Sequence, residues 1–229
     1  MLESKPSKGD ITRNKIYRYA RESFYYHGYK NTTITGISKN LDIGLGNITY
    51  YFKTKDVIAT QVIVDYLDRI NEFLVGKIDP NEKFFYKHFV ASMIYYNVIL
   101  KNQNNKRFYM ELFEKEALYK VMRPAIEYTY PGFINDYNLR FTKMQYKVLI
   151  AADLGSRREI MLGYFRKDFV MPIEDLVITL LLNTGKLAGI PEIEMFNVAH
   201  RAYVTSMKLD YSEIYLLIPN IGSQEEEDF

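Results

Sequence analysis

Cysteine is absent from the 229 residues, and tryptophan with it. The missing thiol excludes a disulfide scaffold, a thiolate zinc site and a cysteine nucleophile, and it fits a reducing compartment. Histidine is limited to His27, His88 and His200, spread too widely to suggest a metal cluster, so neither a metal nor another cofactor is expected. Long hydrophobic runs are missing too. The longest, Leu176 to Leu182, holds seven residues including Thr179, against the ~20 needed to span a bilayer. The first ten residues are polar, so no secretory signal is expected, and the chain reads as a cytoplasmic protein with no membrane partner. Neither G-x-x-x-x-G-K nor G-x-S-x-G occurs, and no nucleophile, carboxylate pair or phosphate loop has recognisable spacing. An enzyme is not expected.

What is present is an ordinary globular composition, 48% hydrophobic and 25% charged, at a length that suits one large domain or a small one joined to a medium one. The charge is uneven. Residues 1–56 carry ten Lys or Arg against five acids, a net of +5, and the remainder carries 20 against 23, a net of −3. A basic first quarter on a mildly acidic body reads as a polyanion-facing module, because Lys and Arg that displace counterions supply most nucleic-acid affinity. The acidic run Glu225 to Asp228 reads as a solvated tail.

Apolar spacings of three and four recur and strict alternation does not, so the chain is expected to be all-α. Helix one runs from about Ile11 to His27, capped by Asp10 and stopped by Gly28. A short helix follows Thr33, Leu41 to Gly44 break it, and Leu45 to Phe52 is helical again. Thr54 caps a fourth helix, Lys55 to Val75. Asp79-Pro80-Asn81-Glu82 reads as a helix start. Lys106 to Val121 is closed by Arg123-Pro124, Tyr130-Pro131-Gly132 is a turn, and a helix from about Asn135 to Phe165 carries Phe141, Met144, Val148 and Ala151 on one face. Two last helices span roughly 172 to 188 and 191 to 208. The first is apolar around most of its circumference, and the second has two stripes: Ile193, Phe196, Tyr203 and Met207, and the smaller Met195, Val198, Ala199 and Ala202. The small stripe allows close approach of another helix, so a homodimer of such helix pairs is expected, to be split by a charge at Leu181.

Helix, four-residue break and helix over residues 33 to 52 is helix-turn-helix spacing, and it lies in the basic quarter. With Ile48 and Phe52 turned to the core, Gly46 and Tyr50 point away from it, flanked by Asn47 and Thr49. Asparagine can bond adenine bidentately, threonine can bond a base edge or meet a thymine methyl, and tyrosine reaches phosphate or sugar. No Arg or Lys lies between Leu45 and Phe52, so indirect readout gains weight. The run Ile16-Tyr17, Ala20, Phe24, Gly28-Tyr29, Thr32-Thr33-Ile34, Ile37, Ile43 and Gly46 to Asp56 resembles the N-terminal signature of the TetR family of bacterial transcriptional regulators.

The resemblance implies a dimer whose helix-turn-helix units bind a palindromic operator on double-stranded DNA, usually repressing until a small molecule enters the C-terminal domain. It divides the chain into a DNA-binding domain, 1–56, and a helical effector-binding and dimerisation domain, 57–229. By position it makes Thr33 and Lys55 phosphate contacts and brings Thr35 near bases. Asn47, Thr49, Tyr50 and Tyr51 become recognition-helix contacts, and Leu45 and Gly46 complete the surface. Tyr51 could equally be packing. Asp42 replaces the usual turn glycine, Thr49 stands where a phosphate-binding tyrosine is common, and Tyr19 replaces a usual alanine.

The chain as a whole holds 21 Tyr and 14 Phe, an aromatic-rich interior for an all-α body. Within the resemblance a cavity between the middle helices takes an apolar or amphipathic effector, with Tyr95, Tyr96, Tyr109, Phe113, Phe141, Met144, Val148 and Phe165 as its lining. The nearby polar candidates disagree in sign: Glu111, Glu114 and Asp153 suit a cation, Arg157 and Arg158 an anion. A DNA-binding architectural or partner-recruiting protein without an effector is the alternative.

Overall fold

The chain opens on a reciprocal cap. In the computed structural model, which describes residues 7–114 and 117–219, Ser7 Oγ accepts from the Asp10 amide at 3.2 Å while Asp10 accepts from the Ser7 amide at 3.0 Å. Asp10 is therefore the third residue of a capping box rather than the cap, and α1 (Lys8–Asn31) starts earlier than its apolar periodicity suggested. It leaves helical geometry at Gly28, at φ 80° and ψ 170°. Helices α2 (Ile34–Leu41) and α3 (Leu45–Tyr51) follow. Thr33 caps α2 by accepting from the Gly36 amide at 3.0 Å. Asp42 makes the turn in the left-handed region, φ 54° and ψ 42°, where aspartate is tolerated. Ile16, Ala20 and Phe24 of α1, Ile37, Ile48 and Phe52 are all buried, so the apolar spacing of the first quarter closes one small core.

Helix α4 (Lys55–Leu74) joins this three-helix head to the body. Its Asp65 accepts from the Tyr17 hydroxyl of α1 at 2.6 Å. Beyond it the expected helix start at Asp79 is a turn: Asp79 Oδ1 accepts from the Asn81 amide at 2.9 Å, and α5 (Phe84–Lys101) begins only at Phe84. An aspartate that satisfies a neighbouring amide in a tight turn competes with its use as a cap. Helix α5 is buried on nearly every side, against α4, α6, α7, α9 and α10, and forms the body's axis.

Three expected boundaries in the middle of the chain fail together. Helix α6 is Gln103–Glu114, and α7 (Ala117–Asp136) runs through both Pro124 and Pro131 without a turn at Tyr130-Pro131-Gly132. A proline inside a helix frees the carbonyl four residues earlier. For Pro131 that is the Glu127 carbonyl, which accepts from the Tyr146 hydroxyl at 3.2 Å. Gly132 serves close packing, since a Cβ there would collide with the Phe84 ring. Asn138, at φ 50°, follows the end of α7, and α8 (Lys143–Arg166) begins at a Thr142–Gln145 capping box rather than near Asn135.

Helices α9 (Ile173–Ala188) and α10 (Glu192–Lys208) lie close to their expected bounds, each starting just after a proline. Their faces are the reverse of the expectation. Leu181 is fully buried inside the chain, and so are Met195, Val198, Ala199 and Ala202, packed in a body where α10 meets α5 and α9. Ile193, Phe196, Tyr203 and Met207 are the outward stripe. Small residues on α10 thus admit its own chain's helices, and a charge at Leu181 strikes the core. Among the described residues no strand occurs and no helix is long and apolar enough to cross a membrane. The acidic run 225–228 lies outside the described residues.

Candidate functional site

Helix α3 is seven residues long and buries only Ile48 among them. Leu45, Gly46, Asn47, Thr49 and Tyr50 are exposed, Tyr50 at 81%. A helix this short cannot hold itself in water, so its position comes from Ile48, from Phe52 stacked on Tyr17, and from the Ser38 hydroxyl bonded to the Ile43 carbonyl at 2.7 Å. Thr49 folds its hydroxyl back onto the Leu45 and Gly46 carbonyls, each at 3.1 Å, which leaves its methyl group and its accepting lone pairs for a partner. Thr33 and Thr35 are exposed at the start of α2. Tyr51 is half-buried, with its hydroxyl against Gly9 of α1, so it belongs to the packing as much as to the surface. A Cβ on Gly46 would meet nothing within 4 Å, so the preceding helix does not require glycine there.

Lys55, an expected phosphate contact, is engaged within its own chain. Its ammonium donates to the Tyr29 carbonyl at 2.6 Å, the Thr32 carbonyl at 2.8 Å and the Lys30 carbonyl at 3.3 Å, and it sits 4.3 Å from the Tyr29 ring. Three ammonium protons meet three carbonyls, two of them from the last turn of α1, where carbonyls lack helical partners and a cation is favoured. Lys55→Ala is accordingly expected to lower stability by about 2 kcal/mol, the range for hydrogen bonds to a charged group. The exposed neighbour in Lys53→Ala should change it by less than ~0.5 kcal/mol. Urea unfolding of both variants checks this, and equal midpoints would return Lys55 to the surface.

The same end of α1 is gripped from the body. Glu111 of α6, itself buried, accepts from the Lys30 amide at 2.6 Å, and Glu114 pairs with the Lys30 ammonium. A Cβ on Gly28 would lie 2.9 Å from both Glu111 oxygens, so the left-handed glycine also makes room for this carboxylate. Both acids therefore couple head to body. Arg107 of α6 adds a bond to the Tyr25 carbonyl at 2.7 Å.

In the body the expected lining divides. Tyr95, Tyr96, Tyr109, Phe113 and Phe165 form one chain of ring contacts with centroids 4.9 to 6.5 Å apart. Met144 is 70% and Val148 59% exposed, on the opposite side of α8 from buried Leu149, Ile150, Asp153 and Arg157, while Phe141 is half-buried before the helix begins. The apolar face of α8 is thus 149, 150, 154, 161 and 162, with Asp153 and Arg157 set within it.

Those two residues, left with opposite implications by the sequence, are one buried group. Arg157 donates to Asp153 at 3.4 Å, to Tyr96 Oη at 3.1 Å and to Thr184 Oγ1 at 2.9 Å, and Thr184 donates to Asp153 at 2.7 Å. Arg157 Nε, buried, has no partner, while the buried Tyr130 hydroxyl faces the Asp153 carboxylate. Burial pushes the Tyr95, Tyr109 and Tyr130 phenols up, so they stay protonated. Burial, aided by the Arg157 charge, lowers His88 to about 3, which keeps its ring neutral between Phe84 and Phe133. Tyr130 and Thr184 escaped the sequence reading. The signal for the pair was there: polar residues at i and i+4 on the face shared by Leu149, Ile150, Leu154 and Met161. Arg158 is half-buried, bonded to Glu159.

No family model matches the chain, and no curated protein matches it by sequence. Solved structures do match in shape. RolR in complex with resorcinol aligns at a TM-score of 0.60 and 15% identity, over 85% of this chain and 95% of that one. Ligand-free RolR aligns at 0.55 and 14% identity, over 82% and 96%. A more distant match is the TetR-family protein CprB from S. coelicolor, at 0.43 and 11% identity over 89% and 100%. With a helix-turn-helix head carried on an all-helical body, the chain has the fold of the TetR-family regulators.

Proposed function

We propose that the chain is a DNA-binding transcriptional regulator rather than an enzyme, acting as a dimeric repressor on a palindromic operator and released by a small effector. The observation that carries this is α3: a helix with one buried residue and five exposed positions, where Thr49 bonds back to the Leu45 and Gly46 carbonyls and Tyr50 meets the Tyr51 ring, on a head of net charge +5. Such a face gains nothing in water and fits a major groove. Thr33, Thr35, Leu45, Gly46, Asn47, Thr49 and Tyr50 form it, with Tyr51 shared between DNA and α1. Selection from random duplexes with the full-length protein tests the reading. An enriched palindrome with half-sites about one turn, ~34 to 36 Å, apart or near a multiple of it is expected, and recovery of no sequence at any salt would refute it.

Gly46 separates fold from recognition. Gly46→Ala should leave the protein as stable or more so, by up to ~1 kcal/mol, because glycine is unfavourable within a helix and the added methyl meets no neighbour. The same methyl would crowd a base edge, so affinity for the selected palindrome should fall at least tenfold. Thermal unfolding paired with operator titration checks this. Unchanged affinity would take Gly46 out of the interface.

For the effector, the supporting group is the buried Arg157, Asp153, Tyr96 and Thr184 network with its unpaired Arg157 Nε, set among Tyr95, Tyr109, Phe113 and Phe165. A small hydroxylated aromatic matches it, offering a ring to the aromatics and a hydroxyl to the polar network, and RolR, whose shape this chain shares, is known in complex with resorcinol. The close packing of those rings favours a second reading, a DNA-binding protein without an effector. Thermal shift and operator release against a panel of phenols and diphenols decide between the two.

A further inference from the structure

A groove of about 500 Å³ lies away from the tyrosine cluster, where the end of α5 and the start of α6 meet the end of α10 and the segment 209–214 that follows it. Two asparagines on its wall are more than nine-tenths buried, Asn97 and Asn105. Each carboxamide is oriented by a donated bond, Asn97 to the Met93 carbonyl at 2.8 Å and Asn105 to the Val98 carbonyl at 3.3 Å. Each is left with an Oδ1 that accepts nothing. A buried acceptor without a donor costs on the order of 1 to 3 kcal/mol, so the wall favours whatever can donate to it. Asp210 adds a carboxylate to the lining, held low by hydrogen bonds from Ser212 and therefore ionised. The one lining cation, Lys101, is exposed. Val98, Leu209 and Ile214 supply apolar surface.

The segment closing this groove reaches the DNA-binding head. After Ile214, which is buried, Tyr215 places its ring 4.3 Å from the Arg69 guanidinium of α4 and 5.2 Å from that of Arg21 in α1, and its carbonyl accepts from Arg69 at 3.2 Å. Leu216 and Leu217 then bury completely. Arg21 Nε and Nη2 have no hydrogen-bond partner. Its guanidinium lies over two rings, Tyr215 and Tyr17, so a displacement of Tyr215 removes half of what holds that charge. On the other flank Asn102, also in the groove wall, donates to the Tyr25 hydroxyl of α1 at 3.2 Å.

We propose that this groove is a second small-molecule site, distinct from the tyrosine core, that takes a compact alkylammonium ligand and transmits its occupancy to α1 through the 209–217 strap. The ammonium donates to the asparagine oxygens and faces Asp210, and the alkyl part lies on Val98, Leu209 and Ile214. Because Asn97 and Asn105 present their oxygens below the surface, entry of the ammonium lifts the strap, and Tyr215 moves with it. The site goes beyond the regulator reading and does not require it, since binding and its effect on α1 are both measurable without DNA.

Calorimetry of the full-length protein with n-butylammonium, n-butanol and butyrate provides the test. One saturable site per chain for the amine is expected, with the alcohol and the acid at least tenfold weaker. Asp210→Asn, a change in an exposed turn, should weaken the amine at least tenfold. Hydrogen exchange in residues 14–30 should change on saturation with the amine, and Tyr215→Ala should keep the binding heat while losing that change. Equal binding of amine, alcohol and acid, or an unaltered Asp210→Asn, would overturn the site. Unchanged exchange in α1 at saturation would overturn the coupling.

Discussion

Phe196→Glu is expected to convert a dimer into a monomer and to abolish binding to the selected palindrome at physiological salt, while leaving the fold intact. The expectation comes from the outward stripe of α10. Ile193 is 71%, Phe196 50% and Met207 67% exposed, at helical spacing, with Tyr203 between them half-buried against the core. In a two-fold interface each residue appears on both sides, so one substitution introduces two carboxylates that must lose water together. A monomer carries one recognition helix and keeps only half of the phosphate and base contacts, which multiplies its salt sensitivity into loss of binding. Sedimentation velocity and operator titration read the two effects. Leu181→Glu is the contrast: at full burial it should unfold the chain, because its position serves the monomer's core. A Phe196→Glu protein that remained a dimer would place the partner on another face.

The second large effect is expected at the buried ion pair. Asp153→Ala removes the carboxylate facing Arg157 and leaves a guanidinium among aromatic rings with an unpaired Nε, so stability should fall by about 3 to 5 kcal/mol. That is about a fifth or more of what a typical domain possesses. Replacing both members, Asp153→Leu with Arg157→Met, should recover most of the loss, since a well-packed apolar pair is often as stable as a buried ionic one. The double variant then isolates function. It should bind the operator normally and lose release by resorcinol-like diphenols, because the groups proposed to meet the hydroxyls are gone. Urea unfolding of the single and double variants, followed by effector titration of the double, measures each step. A double variant that still responds to the diphenol would remove the pair from the effector site.

Lys55 illustrates how a position in a motif leaves a side chain's contacts with its own chain open. Its phosphate role was what the resemblance to the TetR family implies for that position. What spacing does not contain is the path of α1 past Gly28, which brings the Tyr29, Lys30 and Thr32 carbonyls within reach of the same ammonium. The α8 lining failed for a related reason. Met144 and Val148 form an apolar stripe as regular as the buried one, and only packing against neighbouring helices selects Leu149, Ile150 and Leu154.

Sequence by itself determined the all-α class, the helix-turn-helix with its αL aspartate at residue 42, the outward set on α3 and the burial of Ile48 and Phe52. These depend on contacts within a few turns of chain, where capping, glycine and apolar periodicity act directly. Tertiary structure decided which stripe of α10 faces its own chain, that Pro131 lies within a helix with its freed carbonyl taken by Tyr146, and that Tyr96 and Thr184 close on the Asp153–Arg157 pair. It also decided that Asn97 and Asn105 share a wall with Asp210. Each of these pairs an apolar or polar group with a partner from a distant segment, and the free energy of such a pairing resides in neither sequence neighbourhood alone.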